Sequence, residues 1–137
     1  MRYLLALVAL AGVVVSGLAL QVHYSTETAP CSINERWDCG VVNHSSYAEI
    51  HHVPVAAIGL LGYLAMVGVA LMELRKLFTL MAVVGCAYAL YLTHIEHDVL
   101  GVWCLYCVIS QALIALLVVA GLGWIVDNWF RQRREAI

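Results

Sequence analysis

Residues 103–126 read WCLYCVISQALIALLVVAGLGWIV. The stretch contains no charged residue, and as a helix it is long enough to cross the hydrocarbon core of a bilayer, which is about 30 Å thick. It opens with a Cys-x-x-Cys motif formed by Cys104 and Cys107. We therefore predict a membrane-spanning helix that carries a dithiol at its amino-terminal end.

The rest of the chain has the composition of a membrane protein. Of its 137 residues, 64% are hydrophobic and 12% are charged, and the mean hydropathy is +0.89. Soluble domains are far more polar. Apolar runs predict helices at about 3–22, 53–73, 77–95 and 103–126. We predict an all-α membrane protein with one domain, 1–137, folded as a four-transmembrane-helix bundle. A long first outer loop, about 23–52, and a short one, about 95–103, complete it.

The basic residues indicate the orientation of this bundle. Six of the seven lie at ends that share one side, namely Arg2, Arg75, Lys76, Arg131, Arg133 and Arg134. Because Lys and Arg near spans are retained in the cytoplasm, we predict that both termini are cytoplasmic. The outer loops then face outward from a prokaryotic plasma membrane, or into the lumen from a eukaryotic ER membrane. A cleavable signal peptide ending near Gly17 and Ala19 is the alternative for the first segment.

Four of the five cysteines lie in or beside the outer loops: Cys31, Cys39, Cys104 and Cys107. Three interpretations are open. Structural disulfides are one, although a bridge within Cys-x-x-Cys constrains the unfolded chain little. A zinc site with outward histidines is another, although only one cysteine pair has a familiar ligand spacing. The third is redox chemistry, since a helix amino terminus stabilises the thiolate that attacks. At the membrane boundary, such a dithiol can reach a lipid-soluble quinone.

The order of these motifs resembles the vitamin K epoxide reductase family, and its prokaryotic members in particular. The resemblance covers about residues 5–126. It is carried by CSINERWDC at 31–39, a serine soon after, VPVAAIGLLGY at 53–63 and IEHDVLGVWCLYC at 95–107. The other quinone-linked disulfide oxidases with four helices, the DsbB type, carry Cys-x-x-Cys in the first outer loop. Here it lies in the second, which argues against that type.

The resemblance implies a membrane thiol:quinone oxidoreductase. Cys31 and Cys39 would form a shuttle pair that takes electrons from a separate thioredoxin-fold (DsbA-like) protein outside. Cys39 would then attack Cys104, and Cys107, the expected better leaving group at the helix terminus, would be released to reduce the quinone. The substrate would be menaquinone, ubiquinone or vitamin K, with no metal. Membrane lipid is the other expected partner, and nothing in the sequence favours nucleic-acid binding.

Further positions are carried over to the quinone pocket: Ser45, Tyr47, Ile58, Gly59, Leu92, Trp103 and Gln111. Ser46 is the alternative to Ser45, and either hydroxyl can instead stabilise a turn. Gly59 can instead serve close helix packing. Val55 and Gln111 stand where animal members place an Asn and a Tyr that bind the quinone carbonyls. Only Gln111 can still donate a hydrogen bond, so the resemblance does not imply which quinone is used or that the epoxide is reduced.

Two residues have uses that the motifs do not settle. Glu96, eight residues before Cys104, is either a proton relay to the quinone or a solvated interfacial charge beside His97 and Asp98. Cys86, in the middle of the third predicted span, is interpreted as a small apolar packing residue.

Overall fold

The structure is a computed structural model that describes residues 1–24 and 33–137. The helices are α1 (Arg2–Tyr24), α2 (Cys39–Asn43), α3 (Val55–Leu71), α4 (Arg75–Ile95) and α5 (Leu105–Glu135). A 3₁₀ turn at Ser46–Ala48 leads into an antiparallel hairpin of β1 (Glu49–Ile50) and β2 (Val53–Pro54), and a π-helical turn at Glu96–Leu100 continues α4. The class is therefore α-helical, as predicted.

In the described part of the chain, three helices are long and apolar enough to cross a membrane: α1, α4 with its π turn, and α5. The remaining predicted span, the second, corresponds to α3, which has 17 residues and is at the lower limit for a bilayer. It is shorter than the predicted 53–73 because Pro54 belongs to β2 and precedes its first turn, and because Glu73 has a left-handed φ of 59°. The architecture thus offers three to four membrane helices.

The last helix is longer than predicted and ends at Glu135 instead of about 126. Asp127 and Arg131 form an ion pair at 3.0 Å, one turn apart on the helix surface. The guanidinium of Arg133 lies 3.9 Å from the centre of the Trp129 ring. Local pairs of this kind stabilise a helix beyond its apolar run.

The core lies where α1 packs against α3 and α5, and where α4 packs against α5. Its most buried large side chains are Leu5, Phe78 and Leu117. At Gly12 a Cβ would overlap the Tyr63 ring, so α1 and α3 approach closely through this glycine. Contacts between α3 and α4 are less extensive, and this leaves space between those two helices.

The predicted first loop carries structure of its own and folds back on the bundle. His23, near the end of α1, makes two contacts to it. Its Nδ1 lies 2.6 Å from the carbonyl oxygen of Asn43, and its Nε2 lies 3.1 Å from Oε1 of Glu49. The hairpin turn consists of His51 and His52, with φ of 49° and 68°. The loop is therefore held over the same end of the helices at which α5 begins.

Candidate functional site

The two outer loops are joined by backbone hydrogen bonds just before their cysteines. The Trp103 N–H donates to the Arg36 carbonyl at 2.6 Å, and the Asp38 N–H donates to the Trp103 carbonyl at 3.0 Å. This short parallel bridge is followed directly by Cys39, the first residue of α2, and by Cys104. The two outer loops therefore lie side by side at this point.

Cys104 is fully buried and caps the amino terminus of α5. Its Sγ accepts the backbone N–H of Cys107 at 3.4 Å and the side-chain amide of Asn43 at 3.5 Å. The pKa of the Cys104 thiol is lowered, first by the hydrogen bond from the Cys107 thiol, and further by the two N–H donors. Burial, and the nearby charge of Glu96, act in the opposite direction.

The unpaired N–H groups at the amino terminus of α5 therefore stabilise negative charge on the sulfur of Cys104 and not on that of Cys107. The prediction that the terminus makes Cys107 the better leaving group is wrong in this geometry. In a capping arrangement, the side chain that precedes the first turn receives the unpaired N–H groups. Cys107 lies within that turn and supplies one of these donors itself.

Cys107 lies on the wall of a large cavity. The cavity has a volume of about 610 Å³ and is lined by residues of α1, α3, α4 and α5, together with α2 and the segment after it. Its lining is mainly apolar, and its size suits a small organic ligand. Polar side chains on the lining include His23, Asn43, Ser45, Thr93 and Glu96, of which Asn43 and Glu96 are hydrogen-bonded to Cys104 beside Cys107.

The cavity opens sideways between α3 and α4. Ile58 on α3 and Leu80 and Val84 on α4 line it, and all three are exposed at the surface of the bundle. Deeper in the cavity, the Tyr63 hydroxyl donates to the Ser110 carbonyl at 2.9 Å. The side chains at this opening are apolar and exposed, so the cavity is accessible to a lipid-soluble ligand.

Most of the predicted pocket residues line this cavity: Ser45, Tyr47, Ile58, Gly59 and Leu92. Trp103 and Gln111 do not, contrary to prediction. The Trp103 ring packs against the rings of Trp37 and His97, at 6.3 and 5.9 Å. Gln111 accepts a hydrogen bond from the Thr93 hydroxyl, which itself faces the cavity. Gln111 therefore supports the wall through Thr93, whereas the Trp103 ring packs outside the cavity.

Ser45 and Ser46 differ in position. Ser45 is half-buried on the cavity wall, and its hydroxyl donates to the Val42 carbonyl at 2.7 Å. Ser46 is exposed and does not line the cavity. Of the two serines, Ser45 therefore lies on the cavity wall, and its hydroxyl also stabilises a turn. Cys31 lies outside the described residues, so its pairing with Cys39 stays a prediction.

Glu96 is buried, with only 3% of its surface exposed. Its Oε2 accepts the backbone N–H of Cys104 at 3.3 Å, and it lines the cavity. The neighbouring side chains of His97 and Asp98 are exposed. The alternative interpretation of Glu96 as a solvated charge is therefore wrong. The wide π-helical turn directs this one carboxylate inward while its neighbours face out.

Sequence reasoning missed Asn43, Tyr63 and His23. Asn43 ends the short α2, and it is buried against Cys104, a residue 61 positions away. No spacing rule links two such residues, since they meet only when the loops pack. Cys86 is a free, half-buried thiol packed against the core, in keeping with the packing role predicted for it.

Removal of the Asn43 amide should make Cys104 less acidic. In a background with Cys31, Cys39 and Cys86 replaced by serine, we expect Asn43→Ala to move the first thiolate ionisation to higher pH. The lowered pKa means that the Cys104 thiolate persists at a pH where an ordinary thiol is protonated, and each lost hydrogen bond to that thiolate raises the pKa.

Ultraviolet absorbance of the thiolate across a pH titration measures this change. Asn128→Ala changes a half-buried asparagine at the far end of α5; it is the matched control and should leave the titration unchanged. An unchanged titration in Asn43→Ala would show that this amide does not stabilise the thiolate.

Among residues 1–24 and 33–137, no group of three His, Cys, Asp or Glu side chains is arranged to hold a metal ion. In a comparison with known protein families, residues 3–122 match the vitamin K epoxide reductase family.

Proposed function

The chain belongs to the vitamin K epoxide reductase family and is an integral membrane oxidoreductase, and on that basis we propose that it oxidises a dithiol protein and reduces a membrane quinone. One observation carries the proposal. Cys104 adjoins the backbone bridge between the loops, and its partner Cys107 lies on the wall of a lipid-facing cavity of about 610 Å³. A dithiol in this position has access to a protein on one side and to a lipid-soluble acceptor on the other.

The proposed route begins at the outer loops. A reduced partner protein converts the Cys31–Cys39 disulfide to two thiols and becomes a disulfide itself. Cys39 attacks Cys104, so that the Cys104–Cys107 bond breaks and Cys107 leaves as a thiolate. Cys31 then attacks Cys39 and releases Cys104, which restores the first disulfide. The pair Cys104 and Cys107 is now reduced.

The lowered pKa of Cys104 supports this direction of transfer. When Cys31 resolves the interloop disulfide, Cys104 is the leaving sulfur, and a thiol of low pKa leaves faster. The last step returns Cys104 and Cys107 to a disulfide. It passes two electrons and two protons to the quinone, which becomes a quinol.

The cavity fits the class of membrane quinones. Apolar side chains of α3 and α4 suit an aromatic ring and the first part of an isoprenoid tail, and the polar end suits a ring carbonyl. Val55 lines the cavity and offers no hydrogen bond. Menaquinone, ubiquinone and vitamin K all have the required chemistry.

The electron donor we propose is a separate thioredoxin-fold protein on the outer side of a prokaryotic plasma membrane. The distribution of basic residues supports four spans with both termini cytoplasmic, since six of seven Lys and Arg residues then share the inner side. This topology exposes the loop end of the bundle to an oxidising compartment, in which disulfide transfer operates.

The test is quinone reduction in sealed membrane vesicles of known orientation. With a reduced thioredoxin-fold protein added to the bath and menaquinone in the lipid, right-side-out vesicles that carry the protein should form quinol. Inside-out vesicles should not. Equal rates in both preparations would overturn the orientation, and no quinol formation in vesicles or in detergent would overturn the proposed activity.

A further inference from the structure

We propose that Glu96 is the proton carrier of the quinone site, taking the proton of the Cys107 thiol and passing it to an oxygen of the quinone. The inference rests on the proposed function and adds a catalytic residue to it. Dithiol oxidation releases two protons, and quinone reduction consumes two. A group that contacts the thiol and also lines the quinone cavity can connect these events.

Local structure brings Glu96 to this point. The residue starts the π-helical turn Glu96–Leu100, which ends at Gly101 with a left-handed φ of 65°. π-Helical turns are rare in proteins as a whole, and those that occur are often found at functional sites. The turn buries Glu96 while the next two polar residues, His97 and Asp98, are exposed and hydrogen-bond to one another at 2.6 Å. Burial of a carboxylate next to two solvated polar residues costs free energy that a purely structural role does not require.

The contacts of Glu96 tie it to both cysteines. Its Oε2 accepts the Cys104 N–H at 3.3 Å, which fixes the carboxylate beside the dithiol. Cys107 and Glu96 line the same cavity, and the Cys107 thiol interacts with both the Glu96 carboxylate and the Cys104 sulfur. These two groups are the candidate acceptors of the Cys107 thiol proton. Of these, only Glu96 lines the cavity.

The charge environment favours a carboxyl group that gains and loses a proton. In the part of the chain that the structure describes, no Lys, Arg or His forms an ion pair with Glu96. A buried carboxylate without a cation is stabilised by protonation, and this makes it ready to accept the thiol proton. Because Glu96 lines the cavity, an oxygen of a quinone bound there can be the next acceptor.

Protons and electrons balance when the Cys104–Cys107 dithiol reduces the quinone. The Cys107 thiol gives its proton to the Glu96 carboxylate, and the sulfur becomes the electron donor. The S–S bond between Cys104 and Cys107 forms, two electrons enter the quinone, and Glu96 returns its proton to a quinone oxygen. The proton of the Cys104 thiol supplies the second O–H bond of the quinol. Glu96 ends in the state in which it began.

The experiment separates the two halves of the reaction in purified protein. Alkylation of free thiols after mixing with a reduced thioredoxin-fold protein measures electron entry. Ultraviolet absorbance after mixing pre-reduced protein with menaquinone measures quinol formation. We expect Glu96→Gln to slow quinol formation by ~100-fold or more, which is the usual contribution of a general acid or base. Electron entry should change by less than about threefold, because glutamine still accepts the Cys104 N–H through its amide oxygen.

Two further variants make the result specific. Glu96→Asp restores a carboxyl group and should recover at least about a tenth of the quinol rate. Asp98→Asn removes a neighbouring exposed carboxylate and should leave both halves at the wild-type rate. Normal quinol formation in Glu96→Gln, equal losses in both halves, or an aspartate variant as slow as the glutamine variant would each overturn the proposal. No quinol from wild-type protein would instead overturn the proposed function.

Discussion

Cys107→Ser should abolish quinone reduction, lowering the rate by at least ~1,000-fold, because the variant lacks the sulfur that lies on the cavity wall. The same variant should accumulate an interloop disulfide. The Cys104 thiolate can attack the Cys31–Cys39 disulfide at Cys39 and release Cys31. Without Cys107, only this released Cys31 thiol can break the interloop bond, because the neighbouring thiol that would otherwise resolve it at Cys104 is missing. Quinol formation and non-reducing peptide mapping measure the two effects.

Cys86→Ser is the matched control for this change. Cys86 is also a free, half-buried thiol, but it packs against the core and does not line the cavity. We expect wild-type turnover and no new disulfide. Substantial quinol formation by Cys107→Ser would show that another group delivers the electrons, and the route proposed above would fail.

Gly62→Phe should block the quinone site without disturbing the fold. Gly62 lies on α3 and lines the cavity, and a Cβ placed there meets no atom within 4 Å. A phenyl ring can therefore enter the cavity and displace substrate. The KM for the quinone should rise at least ~10-fold, since even one methylene in an apolar pocket changes discrimination by about 10- to 200-fold. Initial rates across a range of quinone concentrations measure the change.

Gly68→Phe provides the control on the same helix. A Cβ at Gly68 also meets no atom within 4 Å, but this residue does not line the cavity. Its KM should be unchanged, and both variants should unfold at the wild-type temperature. If Gly62→Phe kept the wild-type KM, the quinone would have to bind elsewhere.

Much of the fold follows from the sequence because a bilayer imposes a simple rule. Apolar runs must form helices that satisfy their own backbone groups, and this predicts the positions of α1, α4 and α5. Helix ends are less predictable. Local pairs extend α5, from Asp127 onward, and the hairpin that ends at Pro54 shortens α3.

The site was only partly predictable, for a related reason. Cys104 and Cys107 are visible in the sequence because their spacing is local. The contact between Asn43 and Cys104 depends on loop packing and has no local pattern. Glu96 could be identified as a candidate proton relay because it lies eight residues before Cys104 in the sequence. Its burial, however, depends on the π-helical turn. Trp103 has the residue type of a pocket wall, and yet its ring packs against Trp37.

The sideways opening between α3 and α4 has a consequence for how the reaction depends on its surroundings. Leu80 and Val84 lie at this opening, where a bilayer meets the bundle. The two substrates thus arrive from different phases, the protein partner from water and the quinone from lipid. The concentration that governs quinone binding is then the mole fraction of quinone in the bilayer. Addition of lipid at constant total quinone dilutes the substrate, even when the volume of the sample does not change.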